Sequence, residues 1–192
     1  TASLNHALSK NGKHETAYKL LQQTTYPSWL YSVENGATTI WERLNSYTVE
    51  NGFGGNNSMN SFNHYSFGAV AAWMYNYSLG IQSDSKEPGF KHIILQPTPD
   101  PTKQMKWAKG HYDSMYGKIE SEWRWAENGW DYNVTIPANT TATLFISTDN
   151  IKNISESEKK VGKLKEIKIL AEEEEAIKLQ LVSGKYQFHI KN

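Results

Sequence analysis

The sequence predicts an α + β chain built as two domains, helices over residues 1–85 and an antiparallel β-sandwich over residues 86–192. Three observations carry this reading. Apolar residues recur at i, i+3 and i+4 in the first part, the period falls to two around Pro88-Gly89, and beyond it two alternating segments flank a tight-turn signal. A 3.6-residue period gathers apolar side chains on one stripe of a helix, whereas a period of two gathers them on one face of a strand.

In the helical part, Leu4, Ala7 and Leu8 and then Ala17, Leu20 and Leu21 mark two short amphipathic helices. Asn11-Gly12 between them is a turn signal, which makes the pair an antiparallel hairpin, and Tyr26-Pro27 stops the second helix. Further helices are predicted over residues 38–46 and 66–79, the latter closed by Gly80 just past its end. From Ala69 to Tyr77 the second of these is apolar nearly all round, with Val70, Trp73, Met74 and Tyr75 among its side chains, and this predicts burial on every side. An inner helix of an α/α barrel has such surroundings. Four helices alone cannot supply them, so the first part reads as an incomplete barrel.

In the second part, Ile119, Ser121, Trp123 and Trp125 alternate with Glu120, Glu122 and Arg124, Asn128-Gly129 turns the chain, and Trp130, Tyr132, Val134 and Ile136 resume the apolar face. Further strands are expected over residues 141–146, 164–170, 177–182 and 186–190, with Ser183-Gly184 turning the last two. The Lys- and Glu-rich tail from Ile151 onward carries no motif beyond these final strands.

Composition narrows the function. Lys plus Arg and Asp plus Glu total 20 each, so neither nucleic acid nor a membrane surface is an expected partner, and a neutral substrate fits better. The lack of cysteine excludes disulfides and thiolate metal sites and leaves the compartment open. No P-loop, dinucleotide fingerprint, zinc motif or Ser-His-Asp pattern is present, so no cofactor is expected. The acidic run Glu172 to Glu175 reads as solvated charge, not as a metal site, because identical neighbours rarely converge on one ion. Thr1 is not an initiator methionine and the chain opens inside an amphipathic pattern, which fits a fragment of a longer chain.

Polar and aromatic residues are densest in Gly36 to Arg43 and Met59 to Tyr65, as a site at the mouth of a barrel requires. Glu42 lies between Trp41 and Arg43, an apolar neighbour that raises a carboxyl pKa and a cationic one that lowers it. Spacing alone does not choose between a catalytic and a surface Glu.

The run Tyr26-Pro27-Ser28-Trp29, GATTIWER at 36–43, MNSFNHYSFGAV at 59–70 and YGKIESEW at 116–123 together resemble the C-terminal half of the bacterial α-L-rhamnosidases, family-78 glycoside hydrolases. The similarity runs from the first helix to at least Phe145. It implies the closing helices of an (α/α)₆ barrel followed by a β-sandwich, in an enzyme that removes terminal α-linked L-rhamnose with inversion. It also implies that Glu42 is the general base and that His64 contacts the sugar, with Trp41, Arg43 and Asn63 as further candidate substrate contacts. Trp41 either packs beneath Glu42 or touches the sugar, and Arg43 either orients Glu42 or pairs with another carboxylate. The general acid of the family, also a Glu, belongs to an earlier barrel segment. The implied partners are therefore a rhamnose-containing glycan or glycoside and the remainder of the barrel upstream of Thr1, and the 192-residue chain alone is expected to be inactive. A bacterial source is implied, with a periplasmic or cytoplasmic location. Leu44-Asn45-Ser46 departs from the Trp-Asp-Ser common at that place in the family.

Two other readings compete. Another (α/α)₆-barrel glycosidase or a glycoside phosphorylase shares the architecture, but a phosphate site needs convergent cations, and only Arg43 and His64 are candidates near Glu42. A non-catalytic carbohydrate-binding module needs an exposed aromatic platform, whereas alternation puts Trp123, Trp125, Trp130 and Tyr132 on the buried face.

Overall fold

A computed structural model describes residues 3–54, 60–173 and 176–191 and divides the chain into two compact units, 1–73 and 74–192. Thr1, Met59 of the second aromatic segment, and Glu174 and Glu175 of the acidic run lie outside the described residues.

The first unit opens with α1 (Leu4–Lys10) and α2 (His14–Gln22). The turn between them follows from its residues. Gly12 adopts a left-handed φ of +72°, the Lys13 N–H reaches back to the Leu8 carbonyl at 2.8 Å, and the Gly12 N–H reaches that of Ser9 at 3.0 Å. This pair of bonds satisfies carbonyls that the end of α1 leaves without helical partners. The face that α1 buries differs from expectation: Asn5 and Ser9 are buried while Leu4 and Ala7 are exposed. Ser9 Oγ accepts from Trp73 Nε1 at 2.8 Å and Asn5 Nδ2 donates to the Ala17 carbonyl at 3.0 Å, which offsets part of their desolvation, while Asn5 Oδ1 is buried without a hydrogen-bond partner. Trp73 also meets Tyr18 edge to face, with ring centroids 5.1 Å apart.

A third helix, α3 (Trp29–Glu34), was not expected. Its signal is Ser28, whose Oγ accepts the Tyr31 N–H at 3.0 Å as an N-cap directly after Pro27. Conversely, the helix expected over residues 38–46 does not form. Thr38, Thr39 and Ile40 are consecutive β-branched residues, which lose side-chain freedom in a helix, and this segment bonds instead to residues 61–64.

The helical run expected over residues 66–79 is present in three forms: a 3₁₀ turn at Ser66–Ala69, α4 at Val70–Trp73 and a π turn at Met74–Ser78. It is not buried on every side as expected. Val70, Trp73 and Ser78 are buried, but Ala71, Ala72 and Tyr75 are exposed, because the helices described here cover only part of its apolar surface.

The second unit is mostly β-sheet. Its strands are β1 (Ile81–Ser83), β2 (His92–Leu95), β3 (Trp107–Ser114), β4 (Gly117–Ala126), β5 (Gly129–Ile146), β6 (Ile154–Glu156), β7 (Lys159–Lys160), β8 (Lys168–Glu173) and β9 (Ala176–Ile190). The β4–β5 hairpin follows the predicted alternation, pairing Trp123 with Tyr132 and Trp125 with Trp130. Trp123, Trp130 and Tyr132 are buried as expected, whereas Trp125 is half-buried. The Trp125 indole N–H donates to the Asp100 carbonyl at 3.0 Å, and the Lys103 ammonium lies 4.7 Å from the centre of one face of its ring.

Two expected breaks between strands are absent. Residues 130–136 and 141–146 belong to the single strand β5, and Ser183-Gly184 lies inside the single strand β9 instead of ending it. The two strands run antiparallel along nearly their whole length, with a shift of register between Ile136 and Thr141. Before the shift, β5 is flanked by β4 and by the C-terminal part of β9; after it, by β2 and by the N-terminal part of β9. Among the described residues, the expected two separate antiparallel sheets are thus one nine-stranded hydrogen-bonded sheet, and one of its pairs, β2 with β5, is parallel. Extra residues inserted into one strand of a ladder let it turn a corner without ending it, which is how one continuous pair of strands serves both halves.

The sheet also satisfies the end of the π turn. The Tyr77 carbonyl accepts from the Thr98 N–H at 3.0 Å, that of Ser78 from Trp123 Nε1 at 2.9 Å, that of Leu79 from Ser121 Oγ at 2.7 Å and that of Gly80 from the Gln96 N–H at 2.9 Å. Helix ends leave such carbonyls unpaired, so the buried Ser121 and Trp123 have a bonding role as well as a packing one. Tyr132 lies 3.2 Å from Ser121 Oγ, and burial pushes its phenol up, keeping it protonated and able to donate.

Gly129 shows how closely the hairpin approaches β9. With φ at +127°, an added Cβ would stand 1.9 Å from the Ile190 carbonyl oxygen. Gly129→Ala is expected to destabilise the fold by about 2 kcal/mol or more, read as a lower urea midpoint. An unchanged midpoint would contradict this close approach.

Candidate active site

The two segments singled out by composition, residues 36–43 and 60–65, run antiparallel in the first unit. The Glu42 N–H donates to the Ser61 carbonyl at 2.8 Å and the His64 N–H to the Ile40 carbonyl at 2.7 Å. The Thr39 hydroxyl donates to the Phe62 carbonyl. These bonds fix the backbones that carry Glu42 and His64 against each other although the residues are 22 positions apart in sequence.

The Glu42 carboxylate is oriented by the same pairing. Its Oε2 accepts the Ser61 N–H at 2.7 Å, so one residue takes up both the main chain and the side chain of Glu42. A hydrogen bond from a neutral donor to a carboxylate is charge-assisted and stronger than one between neutral groups. Glu42 is half-buried, which leaves it both held and accessible. Composition did not single out Ser61, and the signal for it lies in the Asn60-Ser61-Phe62 stretch of the second segment.

His64 is half-buried and its Nδ1 accepts the Ser66 N–H at 3.3 Å. That bond assigns the proton of a neutral ring to Nε2, which makes Nε2 a donor. The Tyr65 ring lies nearly parallel beside the imidazole, 5.4 Å between centroids and 10° between planes.

The remaining candidates are distributed around this pair. Trp41 is only 7% exposed and packs edge-on against Phe62 and Phe53, with centroids 5.7 and 6.4 Å away, and against Tyr47 at 6.2 Å. Phe53 and Phe62 are themselves 4.9 Å apart, so Trp41 anchors the segment in an aromatic cluster directly before Glu42. An open cleft of about 460 Å³ has Trp41, Phe53 and Phe62 as its aromatic wall and residues 35–39 as its other wall. Neither Glu42 nor His64 lines that cleft. Arg43 and Asn63 are exposed. The Arg43 carbonyl accepts from the Ser46 N–H at 3.1 Å, and Ser46 Oγ lies 2.7 Å from the same carbonyl and 2.8 Å from Asn60 Oδ1, tying the end of the first segment to the start of the second. The Asn63 N–H donates to Ser61 Oγ at 3.2 Å, so Ser61 organises both sides of the pairing.

Known proteins match this chain along its whole length. Residues 1–78 match the family model described as the bacterial alpha-L-rhamnosidase 6 hairpin glycosidase domain, and residues 80–161 match the bacterial alpha-L-rhamnosidase C-terminal domain. An alpha-L-rhamnosidase of Formosa agariphila is 37% identical over 191 residues, covering 100% of this chain and 20% of that protein. One from Alteromonas sp. (strain LOR) is 41% identical over 142 residues, 74% of this chain and 15% of that protein. Among solved structures, Streptomyces avermitilis alpha-L-rhamnosidase complexed with L-rhamnose matches with a TM-score of 0.86 and 30% identity, over 100% of this chain and 17% of that one. The chain spans about a fifth of the length of these relatives or less. By its two matched domains, which meet between residues 78 and 80, the chain belongs to the bacterial α-L-rhamnosidase family of six-hairpin glycosidases.

Proposed function

We infer that the chain supplies the general base and part of the sugar site of an inverting α-L-rhamnosidase that acts on rhamnose-containing glycans or glycosides. The observation that carries this is the Glu42 carboxylate, half-buried and oriented by the Ser61 N–H at 2.7 Å in the segment that pairs with the one bearing His64. Its first unit then contributes the closing helices of an (α/α)₆ barrel, and its bent sheet is the β-sandwich that accompanies it.

An inverting glycosidase needs two carboxyl groups on opposite faces of the sugar, roughly 6.5–9.5 Å apart, so that water fits between the base and the anomeric carbon. In this reading Glu42 accepts a proton from that water as its oxygen attacks the anomeric carbon. The glycosidic bond breaks on the opposite face, and its oxygen leaves with a proton from a general acid in the barrel segment upstream of Thr1. The positive charge of the oxocarbenium-like transition state lies close to the Glu42 carboxylate, which favours it electrostatically. His64 donates from Nε2 to a sugar hydroxyl, and the exposed Arg43 and Asn63 are further polar contacts. Trp41 acts from beneath, holding the segment, since its burial in the cluster with Phe53 and Phe62 leaves little of its ring to a ligand.

The test is the configuration of the freshly released sugar. Full-length enzyme acting on an aryl α-L-rhamnoside is expected to give initial β-L-rhamnose by NMR, before mutarotation, while the 192-residue chain alone gives no comparable release. Retained configuration would require a nucleophile and would remove Glu42 from the role of base.

A further inference from the structure

The buried tryptophans exclude a binding platform on the inner face of the sheet, but the outer face of the β3–β4–β5–β9 part is shaped differently. There the surface sinks into a trough of about 280 Å³ that crosses all four strands. Strand register places polar side chains across it in two rows. One runs His111, Glu120, Thr135, Lys185 and the next runs Lys109, Glu122, Asn133, Gln187, each residue directly opposite the next in the pairing. Facing residues of paired strands lie on the same side of a sheet, so all eight point out of the core.

The chemistry of these rows is selective. Two lysines face two glutamates, so the trough has no net charge to draw a phosphate or a polyanion. Its donors and acceptors are interleaved and already in place. Glu120 accepts from the Thr135 hydroxyl at 2.7 Å, which together with Lys185, Lys118 and Lys109 holds its carboxyl below the usual range, and Glu122 lies between Lys109 at 3.3 Å and Arg124 at 3.9 Å. Each carboxylate has about four lone-pair sites, more than these contacts use, and the Asn133 and Gln187 amides offer both donors and acceptors. On the same face, two residues before Lys109, the Trp107 ring is 51% exposed, with the Arg124 guanidinium 5.8 Å from its centre. A flat aromatic ring next to a neutral set of alternating donors and acceptors matches a sugar, which has an apolar C–H face and vicinal hydroxyls.

We propose that this trough is an accessory binding site for a neutral oligosaccharide, with Glu120, Glu122, Asn133 and Gln187 bonding its hydroxyls and Trp107 stacking on a ring at its edge. The site lies within the sheet unit, and its existence does not depend on Glu42 being the general base. The eight side chains of the two rows lie on the sheet face opposite Trp123, Tyr132 and Val134, so the substitutions tested at Glu122 and Asn133 leave the core packing intact.

Saturation-transfer NMR on the full-length enzyme carrying Glu42→Gln tests this with neutral trisaccharides, one rhamnose-terminated and one, cellotriose, free of rhamnose. At least one is expected to bind in the millimolar range, and Glu122→Gln with Asn133→Ala is expected to weaken that binding tenfold or more, with an unchanged Tm. Trp107→Ala is expected to act in the same direction. With Glu42 intact, the same groove variants are expected to hydrolyse an aryl α-L-rhamnoside at the parent rate. The proposal is overturned if neither trisaccharide gives a signal sensitive to the groove substitutions, or if inorganic phosphate competes for the site. Loss of rhamnosidase activity in the whole enzyme with groove-dependent binding preserved would instead count against the catalytic reading alone.

Discussion

Glu42→Gln in the full-length enzyme is expected, on the proposed reading of Glu42 as the base, to lower kcat by about 10²–10⁴-fold with a much smaller change in KM, because general-base assistance acts in the transition state and not on ground-state binding. The amide keeps an oxygen that can accept the Ser61 N–H, which meets the Glu42 carboxylate at 2.7 Å, so the segment should stay in place. A parent-like kcat would show that the water is activated elsewhere. His64→Ala is expected to differ in kind: on the proposed reading it removes a hydrogen bond to a sugar hydroxyl, which acts on substrate and transition state alike, so KM rises more than kcat falls.

Trp123→Ala is expected to destabilise the fold by about 3–5 kcal/mol, the usual range for deleting a buried aromatic side chain. Two losses add. The fully buried ring leaves a cavity beside Tyr132, its partner across the hairpin, and the Ser78 carbonyl loses the indole N–H that meets it at 2.9 Å. Trp123→Phe separates them: it keeps most of the ring volume while removing the indole N–H bond to that carbonyl, and about 1 kcal/mol should remain as the cost. The contrast is Trp107→Ala on the outer face, where the change should stay within about 0.5 kcal/mol. Urea unfolding followed by circular dichroism reads all three, and equal effects of Trp123→Ala and Trp107→Ala would contradict the buried position of Trp123.

What was legible from residues depended on whether their signal was local. The α1–α2 turn needed only Asn11-Gly12 between two periodic segments, and the β4–β5 hairpin needed only alternation around Asn128-Gly129, so both formed where expected. Residues 38–46 misled because apolar residues in a short window fit more than one period, and the β-branched run Thr38-Thr39-Ile40 was the better guide. Ser183-Gly184 carries turn chemistry, yet β9 continues through it. Whether such a dipeptide reverses the chain depends on the neighbouring strand, and here β5 stays paired with β9 on both sides of it.

By itself the sequence determined the order of helical and β regions, the inward face of β4 and β5, and, through its long motifs, the rhamnosidase family. These rest on periodicity and on residue identity, which are fixed before the chain folds. Only the tertiary structure decided that one sheet replaces two, that Asn5 and Ser9 are buried while Leu4 is not, and that Ser61 holds the Glu42 carboxylate. Each of these depends on a partner far away in sequence: β5 for β9, Trp73 for Ser9, and for Glu42 a main-chain N–H that every residue but proline carries and that spacing therefore cannot single out.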